Sequence, residues 1–191
     1  MTQDSLLLVA STDKGLALLQ SLVPDGRYPS VRICRSGAEA RREQLSSGAG
    51  MVLINTPLSD ETGLELALDF AKASIAGVML LVRAELVETV CARVEEYGVL
   101  VIGKPVVRQI FDQAIRFAQA SHQRMLMLQG EKERLERKLA EQRLIDRAKC
   151  VLIQYLNMTE DQAHRYIEKQ AMDTRQTKVH IAQSILSTYE L

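Results

Sequence analysis

The sequence predicts an α/β chain: a (βα)5 doubly wound parallel sheet, then a long coiled-coil helix and a C-terminal three-helix bundle. Three observations carry this expectation. Five short apolar runs alternate with amphipathic stretches over the first 107 residues. From about 107 to 156 proline is absent, Gly130 is the only glycine, and charge is dense. In the tail, "TEDQ" (159–162) reads as a helix-start capping box, and residues 173–177 read as a break.

Each element follows from its residues. "LLLVA" (6–10), "VRIC" (31–34), "MVLIN" (51–55), "GVMLLV" (77–82) and "LVIGKP" (100–105) are the strand candidates. They have the length and unbroken hydrophobicity of parallel strands covered on both faces. "KGLALLQSLV", "SGAEARREQL", "TGLELALDFAKAS" and "ELVETVCARVEEYG" place apolar residues at helical spacing with charges opposite. In such a sheet the polar loops at the strand C-terminal ends form the site.

The following stretch, including "GEKERLERKLAEQRLIDRAKC", predicts one helix of about 50 residues, roughly 75 Å long at 1.5 Å per residue. Two interleaved seven-residue series run along it: Ala118, Met125, Leu139 and Ser121, Leu128, Leu135, with Lys132 interrupting the first. Met125, Leu128, Leu135 and Leu139 therefore define a short, imperfect coiled-coil seam, with a second copy of the chain as its simplest partner. A solvated helix packed on its own domain is the plainer alternative. In the tail, Asn157 suits the left-handed position that ends a helix, and Thr159 caps the next. Ala163, Tyr166, Ile167, Gln170 and Ala171 share one side of that helix; Val179, Ile181, Ala182, Ile185 and Leu186 mark the last. The domain expectation is 1–120, a linker helix over 121–142, and 143–191.

Composition narrows the function classes. Lys+Arg and Asp+Glu both count 24, so net charge selects no partner by sign. Cys34, Cys91 and Cys150 lie far apart without CxxC spacing and read as free thiols of a reducing cytoplasm. The opening "MTQDSLLLVASTDKG" is too short in apolar residues for a signal peptide or a membrane helix, so a soluble, cytoplasmic protein is expected. His122, His164 and His180 all fall in the helical half, and no nucleophile–base pair or phosphate-cradling loop is visible, so an enzyme is not expected.

Residues 51–63, "MVLINTPLSDETG", deliver Asn55 to the rim of the sheet ahead of Gly63, and "GKP" (103–105) ends the fifth strand. With this spacing the N-terminal part resembles the receiver domain of two-component response regulators. The resemblance implies a phosphoacceptor pocket, and its residues have changed. Asn55 replaces the acceptor aspartate, Ala10 and Ser11 stand at the acid-pair positions, Val82 replaces the switch hydroxyl, and only Lys104 remains. Asp13 lies two residues further on, at the start of the first helix. Magnesium wants hard oxygen ligands, normally including carboxylates, and none is supplied. A pseudo-receiver without metal or cofactor is expected, with Lys104 bonding Asn55 or nearby carbonyls rather than an anion.

The tail "RLIDRAKCVLIQYLNMTEDQAHRYIEKQAMDTRQTKVHIAQSIL" resembles the ANTAR family of RNA-binding domains through Arg147-Ala148-Lys149, "TEDQA", Ala171-Met172 followed by Arg175, and Ala182. Cys150 and Asn157 stand where the family often has glycine. The resemblance implies a bacterial transcription antitermination regulator that binds paired stem-loops in nascent leaders, as a dimer, with a regulatory protein as a further partner. Residues 143–180 carry seven Lys/Arg against five Asp/Glu, which is no basic arm. Recognition would then rest on shaped loops, with cations positioning the backbone. Arg147, Ala148, Lys149, Arg165, Tyr166, Arg175 and Lys178 are the candidate contacts, with His164 as the other ring. Core packing explains Ala148, Ala163, Ala171 and Ala182 by default, and Met172 is expected in the core. The alternative function is a coiled-coil scaffold that binds protein and no RNA.

Overall fold

The computed structural model describes residues 5–24 and 26–189. Its strands are β1 (Ser5–Val9), β2 (Ser30–Cys34), β3 (Met51–Asn55), β4 (Gly77–Arg83) and β5 (Leu100–Lys104), all parallel, in the order β2-β1-β3-β4-β5. Helices α1 (Asp13–Leu22), α2 (Gly37–Ser47), α3 (Leu64–Ala73) and α4 (Val87–Val94) alternate with them. This is the expected doubly wound sheet, its strands shifted by at most a residue or two from their sequence bounds.

Burial explains the unbroken apolar runs. Leu7, Val9, Val52, Ile54, Leu80 and Val82 face one core with Ala40 of α2 and Leu66, Ala67 and Phe70 of α3. Their neighbours Leu6, Leu8, Met51, Leu53, Met79 and Leu81 face the other, with Leu19 of α1 and Phe111, Ile115 and Ala118 of the helix after β5. Successive strand residues point to opposite faces, so two covered faces demand apolar residues at every position.

That last helix, α5 (Arg108–Leu156), runs unbroken for 49 residues. Ala118 is buried in the second core, which removes it from the seven-residue series with Met125 and Leu139. Met125, Leu128, Leu135 and Leu139 remain half-exposed. By internal contacts the chain divides into two compact units, Met1–Met127 and Leu128–Leu191.

In the second unit, α6 (Glu160–Thr174) and α7 (Lys178–Tyr189) pack with the end of α5. Its core is Ala148, Val151 and Leu152, with Ala163, Ile167 and Ala171, and Ile181, Ala182, Ile185 and Leu186. Asn157 takes the left-handed conformation (φ 52°), and the Thr159–Gln162 capping box opens α6. Two expectations fail here. Met172 is 78% exposed, outside the core, and α6 continues to Thr174, so the break begins at Arg175. The last helix is expected to run to residue 191; positions 190 and 191 lie outside the described residues, as does the stretch 1–4. Among the described residues no helix is long and apolar enough to cross a membrane.

Candidate functional site

At the C-terminal edge of the sheet Lys104 and Asn55 form a closed polar knot with the Thr56 carbonyl, while Ala10, Ser11 and Val82 are placed otherwise. Lys104 Nζ donates to Asn55 Oδ1 at 3.1 Å and to the Thr56 carbonyl at 2.5 Å. Burial, and secondarily the charge of Arg83, hold its pKa below the ordinary lysine range. Asn55 is itself buried, and its Nδ2 lies over the first turn of α1: a Cβ on Gly15 would sit 2.3 Å from it. Only glycine leaves that space while Lys104 holds the other end of the amide. Ala10 and Val82 are buried core residues. Ser11 acts as a clasp, donating to Arg35 O at 3.0 Å and accepting from Ser59 N at 2.6 Å. Asp13 sits in the first turn of α1, as the sequence suggested, and pairs with Arg35 at 2.7 Å.

The loop after β3 is pinned by residues that the sequence reading did not single out. Asp60 accepts the Gly37 and Ala38 amides, each at 3.0 Å, while Ser36 Oγ accepts that of Glu39. Three donors of the first turn of α2, which have no partner within the helix, are thereby satisfied. The Ala38 and Gly37 amides also hold the Asp60 carboxyl below its usual pKa. Glu61 pairs with Arg41, which in turn reaches Asp69 at 2.7 Å. The Asp60 and Arg41 contacts join residues 20 or more apart, and no local spacing announces them.

On the C-terminal bundle the candidate contacts separate into three kinds. Ala148 is wholly buried in the core and has no surface to offer, so its place among the RNA contacts is corrected to packing. Lys149 is tucked in, its side chain 14% exposed, bridging Asp146 (2.8 Å) and Glu160 (3.4 Å); the bond to Asp146 raises its pKa. Lys178 is likewise matched, to Glu168 at 2.5 Å, and His164 Nε2 reaches the same carboxylate at 3.3 Å. Arg147 is exposed and engaged in an interaction of its own.

The third kind is open. Arg165, Lys169 and Arg175 are exposed and hold no ion pair among the described residues. Arg165, Lys169 and Met172 are four and three residues apart, which puts them on one face of α6. Tyr166 is 38% exposed beside them. Arg175 caps α6 in the left-handed conformation (φ 54°, ψ 36°), its amide bonding back to Met172 and Ala171. Lys169 was not among the residues singled out from the sequence. Its signal, spacing from Arg165 and Met172, emerges only once Met172 is known to be exposed.

A receiver-like sheet is followed by the long helix α5, whose end packs with α6 and α7 in a three-helix unit. Comparison with known proteins makes this unit specific. Residues 133–186 match the family model of the ANTAR domain. The chain is 28% identical over 174 residues to the transcriptional regulatory protein PdtaR of Mycobacterium tuberculosis, covering 89% of this chain and 83% of that one. It is 38% identical over 73 residues to the nitrate regulatory protein of Klebsiella oxytoca, covering 38% of this chain and 18% of that one. Among solved structures, the signal receiver domain of an HD domain-containing protein from Pseudomonas fluorescens Pf-5 superimposes with a TM-score of 0.57. The sequences there are 21% identical, covering 66% of this chain and 94% of that one, and the likeness is one of fold. The chain joins a receiver-like fold to a stretch that matches the ANTAR domain.

Proposed function

We propose that this chain is a transcription antitermination regulator that binds paired RNA stem-loops as a dimer, and that its receiver-like domain is not controlled by phosphorylation. The observation that carries the reading is the α6 face of the ANTAR domain. There Arg165, Lys169 and Arg175 hold no ion pair among the described residues and stand beside exposed Met172 and Tyr166. Free guanidinium and ammonium groups can take phosphates, while a ring and a thioether can meet unstacked loop bases. Lys149 and Lys178, already paired, contribute less to such a surface.

Two further observations support the rest. An asparagine amide is a poor nucleophile, Ala10 and Ser11 bring no carboxylate, and Lys104 is occupied by Asn55 and Thr56. Met125, Leu128, Leu135 and Leu139 leave apolar surface along α5 that a second copy would cover. A coiled-coil scaffold would use the same α5 surface without RNA.

A salt titration against a two-hairpin RNA separates the readings. Phosphate contacts release counterions, so affinity should fall steeply with salt. Removing Arg165, Lys169 or Arg175 should lower the slope by roughly 0.7–0.9 each. Removing Lys149 should lower it by less. Absence of binding, or a slope near zero, overturns the RNA reading in favour of the scaffold.

A further inference from the structure

At the end of the sheet remote from Asn55 the receiver-like unit holds a groove of about 350 Å³, near the small end of ligand pockets. It lies between the C-terminal end of α3, the first residues of β4 and β5, and α5. Its walls are mostly apolar. Phe117 (64% exposed) and Tyr97 (43%) line it, large apolar side chains left open together, and Met125 (49%), which also lies on the proposed α5 seam, stands at its edge. Among the described residues no lysine or arginine is part of its lining and Glu96 is the one carboxylate that is; Lys72 Nζ lies over the Tyr97 ring, 4.7 Å from its centroid.

His122 lines the groove from α5 and is only 7% exposed. Its Nδ1 lies 2.7 Å from the Ile75 carbonyl oxygen. A carbonyl oxygen only accepts, so Nδ1 carries the proton, and in the neutral ring Nε2 is then a lone-pair acceptor. That Nε2 is buried and has no hydrogen-bond partner among the described residues. Native structures seldom leave a buried polar atom unsatisfied, and such an atom calls for an explanation.

We propose that the groove binds a small, flat, mostly apolar molecule that gives one N–H or O–H hydrogen to His122 Nε2. The chemistry selects the class. An acceptor beside Glu96, with Lys72 engaged on the Tyr97 ring and no cation among the described lining residues, disfavours phosphates and carboxylates, and the volume suits something the size of a bicyclic aromatic. Nε2 is closed to water, so entry requires a wall side chain to move. Met125 is unbranched and half-exposed, the kind of side chain that adapts in this way. The site does not depend on the RNA reading. It gives the receiver-like domain an input that needs no phosphoryl group.

The test uses the full chain with indole, which has one N–H donor, and benzofuran, its near-isostere with an oxygen in place of that donor. Calorimetry should show indole binding at least about tenfold tighter, the size of one donor meeting an otherwise unpaired acceptor. In ¹⁵N-histidine spectra, Nε2 of His122 should report a non-protonated nitrogen that shifts on adding indole. H122F should lose the preference for indole. S121W, which fills the groove and leaves His122 in place, should block both probes. Failure of indole to bind, equal binding of benzofuran, or unchanged binding to folded S121W would each overturn the proposal.

Discussion

Replacing Leu128 and Leu135 by lysine tests whether the long helix is a dimer seam. The two side chains are 53% and 55% exposed, so the fold of one chain does not need them, and about half of each remains to be covered. Full burial of a leucine is worth about 1.5–3 kcal/mol, so the exposed half is worth about 1 kcal/mol. Two leucines in two copies then contribute about 4 kcal/mol, close to three decades in dissociation constant. The new ammonium groups add repulsion at the seam. Sedimentation velocity over a concentration series, with and without RNA, should show wild type associating and L128K/L135K monomeric at the same concentrations. Helix content by circular dichroism should be unchanged, because both positions face solvent. Wild type that stays monomeric in every condition, or a double variant that associates as wild type does, refutes the seam.

Other expectations follow from single contacts. Incubation with a small-molecule phosphodonor and magnesium should leave the intact mass unchanged in wild type and in N55D, since the acid-pair positions remain Ala10 and Ser11; an adduct would contradict this. D60N keeps one of the two acceptor oxygens and loses the other, so it should destabilise the receiver-like unit by about 1 kcal/mol, the net worth of one hydrogen bond. Because the Asp60 pKa is lowered in the fold, that stability is present above the unfolded value of 3.8 and is lost as pH falls through the folded one. Chemical denaturation should therefore find the gap between wild type and D60N narrowing below about pH 4. A148E places a charge in a fully buried position and should cost at least about 3 kcal/mol. Circular dichroism should show helix melting there, which separates a packing role from an RNA contact.

What was legible in the sequence were features written in local spacing. The five strands announced themselves because a sheet covered on both faces needs unbroken apolar runs, as at Leu6–Val9 and Met51–Ile54. The capping box at Thr159 and the left-handed Asn157 were equally local. The candidate site was legible by type and less so by orientation. Arg147-Ala148-Lys149 is contiguous, so its members leave the helix in different directions: Ala148 into the core, Lys149 toward Asp146 and Glu160. Met172 follows buried Ala171 directly and therefore points outward, against the residue-type preference that suggested core. Ala118 fits a seven-residue series as well as Met125 does, and only the sheet beneath α5 decides that it is buried. The Asp60 and Arg41 contacts were invisible because they join segments distant in sequence.

The most direct test of the central claim is fluorescence anisotropy of the full chain against three RNAs. One carries two adjacent hairpins, one carries the same stems with substituted loop bases, and one is single-stranded RNA of equal length. The account predicts tight, salt-sensitive binding to the two-hairpin RNA, with weaker binding to both others. It further predicts that R165A/K169A/R175A lowers affinity for the first RNA without loss of helix content. Equal binding to all three RNAs, or a folded triple variant that binds as wild type does, would contradict it.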